Sequence, residues 1–527
     1  MPNVIVIGAG SAGGVLAARL TEDPDVSVLL LEAGPHYQTV EEMPDDVRLA
    51  WRFGGMAHDW GYSASGVVVA AEGAQWGVGE AGAVPVPRGK VVGGSSAVNG
   101  SNALRAYPSD FDRWVGLGND HWSWDAVLPY FRRLENDPVG GALHGSDGPM
   151  PIRRFTGDAL RPVMHAFVDA CEEAGHPRAE DLNAPGAIGA GSLPVNQVDG
   201  VRQSTAITYL MPALARPNLE LRAGVTVDRV ELAGGRAEAV VLMTGERVEA
   251  DLIVLAAGAI GSPIILQRSG VGPADVLERH GIDVLHALPG VGRNLRDHPM
   301  LYPTWSADAD AVGPLDPPLQ AFCVCASSGA RAESQIDLNF VPFTLEPGSI
   351  NIGLGLVRPY SVGHLELASA DPDAPPLIHL NLFSHPEDLQ RTVTGVKLLR
   401  QIFAQPALSE YVGEELWPGT DAASDKAIAD AIMASPTTYA HVLGTCSMGQ
   451  AEADWAVVDQ RGKVHGLDGL HVVDASIMPT IPAVPPNMTV IMMAERCADF
   501  LRDELAGRAR ATAAAAGAPA TQPTGAR

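Results

Sequence analysis

The chain opens VIVIGAGSAGGVLAARLTEDPDVSVLLLEAG, where an apolar run, a glycine turn, a helical pattern and a second apolar run follow one another. This is the βαβ order of a doubly wound parallel sheet. VIVI and VLLL are apolar without alternation, as strands covered on both faces are. From residue 35 to about 85 no period is sustained, and the stretch reads as extended loop. WSWDAVLPYFRRLEND has an amphipathic helical pattern with a proline inside it, and residues 136–160 are rich in turn formers. VELAGGRAEAVVLMTGERVEADLIVLAAGAIGSPIILQRSG reads as a β-meander, then a strand, a glycine turn and a helix. Between residues 300 and 380, short strand patterns such as SQIDLNFVPF and INIGLGLV alternate with Pro-rich loops, which predicts an antiparallel sheet. GLHVVDASIMP returns to a buried strand, and MTVIMMAERCADFLRDEL is a closing helix. The tail ARATAAAAGAPATQPTGAR is of low complexity and is expected to be disordered. No repeat at solenoid periods is visible.

At 527 residues the chain is long enough for two lobes. Its 46% apolar and 19% charged residues are those of a folded globular protein. The formal charge of −26 repels phosphate backbones and anionic headgroups, which argues against nucleic-acid and membrane-surface roles. No run of about 18 uncharged apolar residues predicts a membrane span, and no signal sequence is visible, so the expectation is a cytoplasmic protein. The five cysteines are scattered and odd in number, against a disulfide framework. Cys323 and Cys325 share one face of a strand pattern, but no CxxC pair accompanies them and no metal site is expected.

Gly8, Gly10 and Gly13 form GxGxxG between a strand and a helix. Such glycines permit the tight turn and let a pyrophosphate approach the helix N-terminus. Glu32, at the end of the second strand, can accept both ribose hydroxyls of an adenosine and repels a 2′-phosphate, which argues against NADP. Asp474 ends a buried strand shortly before a helix beginning near residues 487–489. The free N–H groups at such a helix start suit the edge of a flavin that becomes anionic on reduction.

These motifs resemble the glucose–methanol–choline (GMC) family of flavoprotein oxidoreductases from residue 3 to about 506. GAGSAGGVLAARL with EAG, PRGKVVGGSSAVNG, GAIGSPIILQRSGVG, LPGVGRNLRDHP, HVLGTCSMG, and VVDASIMP followed by PNMTVIMMAERCAD occur in the family's order. The resemblance implies an α/β fold with a Rossmann-like FAD-binding lobe of discontinuous segments, 1–155, 200–300 and 450–506. A substrate lobe with an antiparallel sheet, 156–199 and 301–449, would cover the flavin, with 507–527 as the tail. By position it implies Ser11 and Ala12 at the pyrophosphate, Glu32 and Ala33 at the adenosine ribose, and Gly94 and Asn99 beside the flavin ring. Val227 falls at the adenine, Asp474 and Ala475 at the pyrophosphate and ribityl chain, and Met488 and Thr489 at the helix start facing the flavin. Val98 stands where choline oxidase has the histidine that bonds FAD, so a non-covalent FAD is expected.

His441, in YAHVLGTCSMG, admits three readings on its own: a satisfied core histidine, a metal ligand, or a base. The resemblance selects the base, with Asn487 as the partner that hydrogen-bonds the alcohol while hydride passes to flavin N5. It leaves His298 of RDHP an architectural role, and His465 and His471 as structural or surface residues. The implied activity is oxidation of a primary or secondary alcohol with O2 or another electron acceptor. The substrate stays open between aryl or furanic alcohols, choline and sugars. A non-redox lyase of this fold and a flavin-binding structural protein are the competing classes.

Overall fold

A computed structural model describes residues 3–52, 56–64, 83–312, 317–344 and 346–517. The expected parallel sheet is present in the strand order Leu219–Ala223, Val28–Glu32, Val4–Ile7, Leu252–Leu255, Leu470–Val472. All four pairings are parallel, with Val4 opposite both Val28 and Leu252. Four of these five strands are buried at every position, and in Val4–Ile7, Val28–Glu32 and Leu252–Leu255 this accounts for the lack of a regular polar alternation. The helix Gly13–Leu20 and the closing helix from Asn487 pack together on this sheet's core. The meander Val227–Ala233, Arg236–Leu242, Arg247–Glu249 forms its own antiparallel sheet.

The second sheet runs Val412–Trp417, Thr304–Ala307, Ser349–Leu356, Leu338–Phe343, Ala321–Cys325, Gly189–Ser192, and its pairings are antiparallel. The short strand Pro299–Leu301 pairs on one side with Ser349–Leu356 and on the other with Thr437–Thr438. A separate apolar core lies between this sheet and the helices Pro162–Glu173 and Pro386–Phe403. All five cysteines are buried and free.

Two expectations need adjusting. Within residues 35–85 the described part carries a short helix, Asp45–Arg48, and an antiparallel pairing of Ser63–Ala64 with Val84–Pro85; 53–55 and 65–82 lie outside the described residues. The closing helix extends through Gly517, so the first part of the tail is helical rather than disordered. Its alanine-rich run continues a helix already nucleated, and alanine is the strongest helix former. Residues 518–527 of the tail lie outside the described residues.

The turn after the first strand depends on a close approach. A Cβ on Gly13 would sit 1.8 Å from the Gly8 carbonyl oxygen, so the helix can start there only without a side chain. Gly13→Ala is therefore expected to lower stability by about 2 kcal/mol or more in urea unfolding, and an unchanged midpoint would contradict this packing.

Candidate active site

The glycine turn, the end of the second strand and the start of the closing helix converge. Gly8 takes φ +98° and donates its N–H to Leu31 at 2.7 Å, and Ala12 is the residue before the helix Gly13–Leu20. Gly10 lies against Gly94, whose Cβ would come within 2.7 Å of the Gly10 Cα. Glu32 is buried and accepts from Ala9 and Gly34 N–H groups, each at 2.8 Å. Burial raises its carboxyl above the ordinary value, against those N–H groups and that of Ala33. A carboxylate offers about four acceptor positions, so Glu32 can still accept from a hydroxyl. Asp474 is saturated by Gly258 N–H at 2.9 Å, Ser262 Oγ at 2.5 Å and Ser476 N–H at 2.8 Å, and caps the short turn Ala475–Ile477.

Other expected residues are placed as follows. Asn99 accepts Ser101 N–H through Oδ1 at 2.9 Å, and its carbonyl accepts Arg202 Nε at 2.8 Å. Val227 begins a meander strand opposite Leu242. Met488 and Thr489 are fully buried in the first turn of the closing helix, and Thr489 Oγ1 accepts Ala106 N–H at 3.3 Å. Asn487 is not hydrogen-bonded to His441 among the described residues. Its Oδ1 accepts Ser11 Oγ at 2.8 Å, while its Nδ2 is buried and unbonded. The mouth of the helix faces the glycine turn, and that sets the amide's partner.

His441 is half-buried, as are Arg88 and Tyr439. The Tyr439 ring stacks on His441 at 4.2 Å. His441 Nδ1 lies 2.9 Å from Nδ1 of His298, and His298 Nε2 lies 3.0 Å from the Pro482 carbonyl oxygen. Burial pushes His298 down to about 3, so this imidazole is neutral and has one N–H. A carbonyl only accepts, so that N–H is on Nε2 and the His298 Nδ1 carries a lone pair. His441 must then donate from Nδ1, which leaves its Nε2 without a proton. Burial, with His298 and Arg88 as neighbours, also holds His441 well below the ordinary value of 6.5. Both rings of the pair are neutral, and their hydrogen bonds fix the orientation of the His441 ring.

Sequence reasoning gave His298 only an architectural part. Its contact with His441 spans 143 positions and arises because Pro299–Leu301 pairs with Thr437–Thr438. No local signal predicts that pairing. Arg202 likewise has no local sequence signal: fully buried, it donates to the carbonyls of Ala97 and Asn99 beside Gly94 and to Asp46, Val47 and Leu49. His465 bonds the Gly449 carbonyl at 3.0 Å and His471 lies 3.1 Å from Glu504, both away from this pair.

Residues 3–300 and 359–494 match the N- and C-terminal family models of the GMC oxidoreductases. The chain is a GMC oxidoreductase. It is 38% identical over 550 residues to an oxygen-dependent choline dehydrogenase of Ectopseudomonas mendocina, covering 95% of this chain and 94% of that one. Its fold matches pyridoxine 4-oxidase from Mesorbium loti with a TM-score of 0.86 and 32% identity, over 95% of this chain and 99% of that one. A fungal aryl-alcohol oxidase shares the fold at 22% identity and a TM-score of 0.80. The family's enzymes are FAD-dependent and act on CH–OH groups. The turn without Cβ atoms at Gly8, Gly10 and Gly13, the buried Glu32 at the strand end and the unbonded Asn487 Nδ2 at the helix mouth fit that dinucleotide. No helix among the described residues is long and apolar enough to cross a membrane.

One cluster in this GMC oxidoreductase has the composition of a metal site. Glu135, Asp137 and His144 bring ligand atoms within 4.8 Å of one another. Arg105 and Arg154 bond the same carboxylates, and His144 Nε2 reaches Asp181 at 2.9 Å. Three carboxylates meet two guanidiniums, and the charges balance when His144 is an imidazolium. Burial would lower His144, but hydrogen bonds to Asp137, Asp181 and Glu135 outweigh it and hold the ring at about 10. A dication there would face two fixed positive charges, so the cluster reads as an ion-pair network.

A folded value raised from 6.5 means stability that is fully present below about 6.5 and lost as pH climbs towards about 10. His144→Gln is expected to flatten this alkaline fall in a thermal-unfolding series, with no response to chelator in either protein. An alkaline fall that survives the substitution would contradict the assignment.

Proposed function

We propose that the chain oxidises an alcohol to the carbonyl, with His441 Nε2 taking the hydroxyl proton. The hydrogen-bond order Pro482 carbonyl, His298, His441 carries this reading, because it leaves the accepting nitrogen bare and fixes the ring. Bound FAD supplies the two-electron hydride acceptor. When Nε2 gains a proton, the Nδ1–H bond to His298 strengthens, and the Tyr439 face lies against the new cation. No base other than the His441 ring is needed to take the hydroxyl proton. Asn487, tied to Ser11 through its oxygen, offers its amide N–H groups at the mouth of the closing helix, so its part lies with the cofactor more than with the hydroxyl. FAD is held without a covalent bond through residue 98, since Val98 has no atom that could form one. The acceptor that reoxidises it is O2 or another electron acceptor.

For the substrate we favour an uncharged alcohol on a planar ring. Tyr439 stacks beside the base, and Tyr302 meets Phe343 edge-on at 5.8 Å at the end of the antiparallel sheet. Asp297, the carboxylate bonded to His441, is occupied on both oxygens by Thr438 and by two backbone N–H groups. A quaternary ammonium calls for a free carboxylate beside its aromatic cage. Choline is the second reading, favoured by the 38% identity to choline dehydrogenase.

Anaerobic mixing with benzyl alcohol, pyridoxine, a furanic alcohol, glucose and choline tests the reading by flavin bleaching. Fastest bleaching by a ring alcohol is expected. Bleaching by none of these alcohols would favour a lyase or structural role. His441→Ala is expected to keep its flavin and lose roughly 100-fold to 10,000-fold in reduction rate. His298→Leu should lose about 10- to 100-fold, because the tautomer is no longer imposed. Asn487→Ala should lose less than His441→Ala and release flavin more readily. A His441→Ala enzyme reduced at the parent rate would remove the base assignment.

A further inference from the structure

Ala440, directly before His441, has φ +59°, a left-handed conformation that side-chain-bearing residues adopt sparingly. Its N–H donates to Thr438 Oγ1 at 2.7 Å, and its carbonyl accepts a guanidinium N–H of Arg88. The Thr438 hydroxyl donates in turn to Asp297 Oδ2. Asp297 Oδ1 accepts the His441 N–H at 2.8 Å and the His298 N–H at 2.8 Å. One carboxylate therefore holds the backbones of both members of the imidazole pair. Arg88 is itself anchored, its N–H on Asp59 Oδ1 at 2.7 Å and its carbonyl accepting from Trp60 at 3.0 Å.

We propose that Asp297 and Arg88 are positioning residues that grip the Ala440 turn from two sides and so set the direction in which His441 presents its free nitrogen. This rests on the reading of His441 as the base. Without the grip, Ala440 relaxes to an ordinary backbone conformation and the ring it carries swings with it. An imidazole displaced by even 1 Å loses much of its efficiency as a proton acceptor.

The charged and titratable groups around Asp297 are Arg88, with Asp59 bonded to its N–H, from the segments flanking the Ser63–Ala64 and Val84–Pro85 pair, His298 beside it in the chain, and Tyr439 and His441 from the facing segment. Burial pushes the Asp297 carboxyl up to about 6, against the bonds from Thr438 and His441 and the attraction of Arg88. Both histidines are pushed lower. As pH falls through about 6, Asp297 takes a proton, an acceptor oxygen becomes a donor, and the grip on Thr438 weakens. The acid limb of flavin reduction accordingly belongs to Asp297 and not to the base. A folded value raised above 3.8 also means that the ionised carboxylate costs stability at neutral pH.

These properties separate a positioning role from a structural one. Holoenzyme carrying Asp297→Asn, Arg88→Lys, Arg88→Met or His441→Ala is compared with the parent by thermal unfolding and by anaerobic reduction with benzyl alcohol, pyridoxine and choline across pH. For Asp297→Asn, the unfolding midpoint at about pH 8 is expected at or above the parent's, because a buried charge has gone. Its limiting reduction rate should fall about ten-fold, with the apparent Kd changed less than about three-fold, and the fall-off below about pH 6 should vanish. Arg88→Lys should retain more of the limiting rate than Arg88→Met.

An Asp297→Asn enzyme that keeps the parent's limiting rate and acid limb would overturn the proposal. So would a midpoint that drops in step with the rate, which marks a structural role. If His441→Ala reduces its flavin at the parent rate, the base reading has failed and this proposal falls with it. If His441→Ala is inactive while the Asp297 and Arg88 variants match the parent, only the positioning role has failed.

Discussion

The carbonyl of Pro482, which accepts from His298 Nε2, decides which nitrogen of His441 is bare. A neutral imidazole has one N–H to place, and a buried one must place it on an acceptor. Pro482 takes the His298 N–H, His298 then offers only a lone pair, and His441 must donate from Nδ1. This order works only while both rings stay neutral, and burial pushes both well below the ordinary histidine value. The same burial that lowers the basicity of His441 makes its orientation definite.

The chain of contacts also ties the two sheets together at the site. Pro482 lies between the strand Leu470–Val472 of the parallel sheet and the closing helix, while His298 precedes a strand of the antiparallel sheet. Ser11 in the glycine turn holds Asn487 at the start of that helix. The cradle proposed for the cofactor and the base proposed for the alcohol thus share one short segment, 479–489, as a common wall. Proper placement of hydride donor and acceptor is then a property of packing between lobes, which a static, buried hydrogen-bond network can maintain.

Much of this was legible in the sequence because it is local. The unalternating apolar strands, GxGxxG, Glu32 at a strand end and a helix beginning at Asn487 each declare themselves within about 30 residues by spacing. The antiparallel sheet of the second lobe was foreseeable from its short alternating runs. What was illegible is long-range. Nothing near RDHP announces that His298 will meet His441, because the meeting depends on strand pairing between residues 299–300 and 437–438. The motif position of Asn487 implied a partner for the alcohol but not its local bonding, in which Ser11 of the glycine turn takes the amide oxygen and the amide nitrogen is left unbonded. The tail misled for a different reason: its composition is that of a disordered segment, yet a helix that has already formed propagates into alanine at little cost.

The tautomer of His441 can be observed directly. Nitrogen NMR of the holoenzyme with labelled histidine, His441 assigned by its substitution, reports which ring nitrogen carries hydrogen at neutral pH. His441 is expected to carry hydrogen on Nδ1 and none on Nε2, with the reverse arrangement on His298. A protonated Nε2 on His441 in the resting enzyme would contradict it, because the nitrogen proposed to take the alcohol proton would already be occupied.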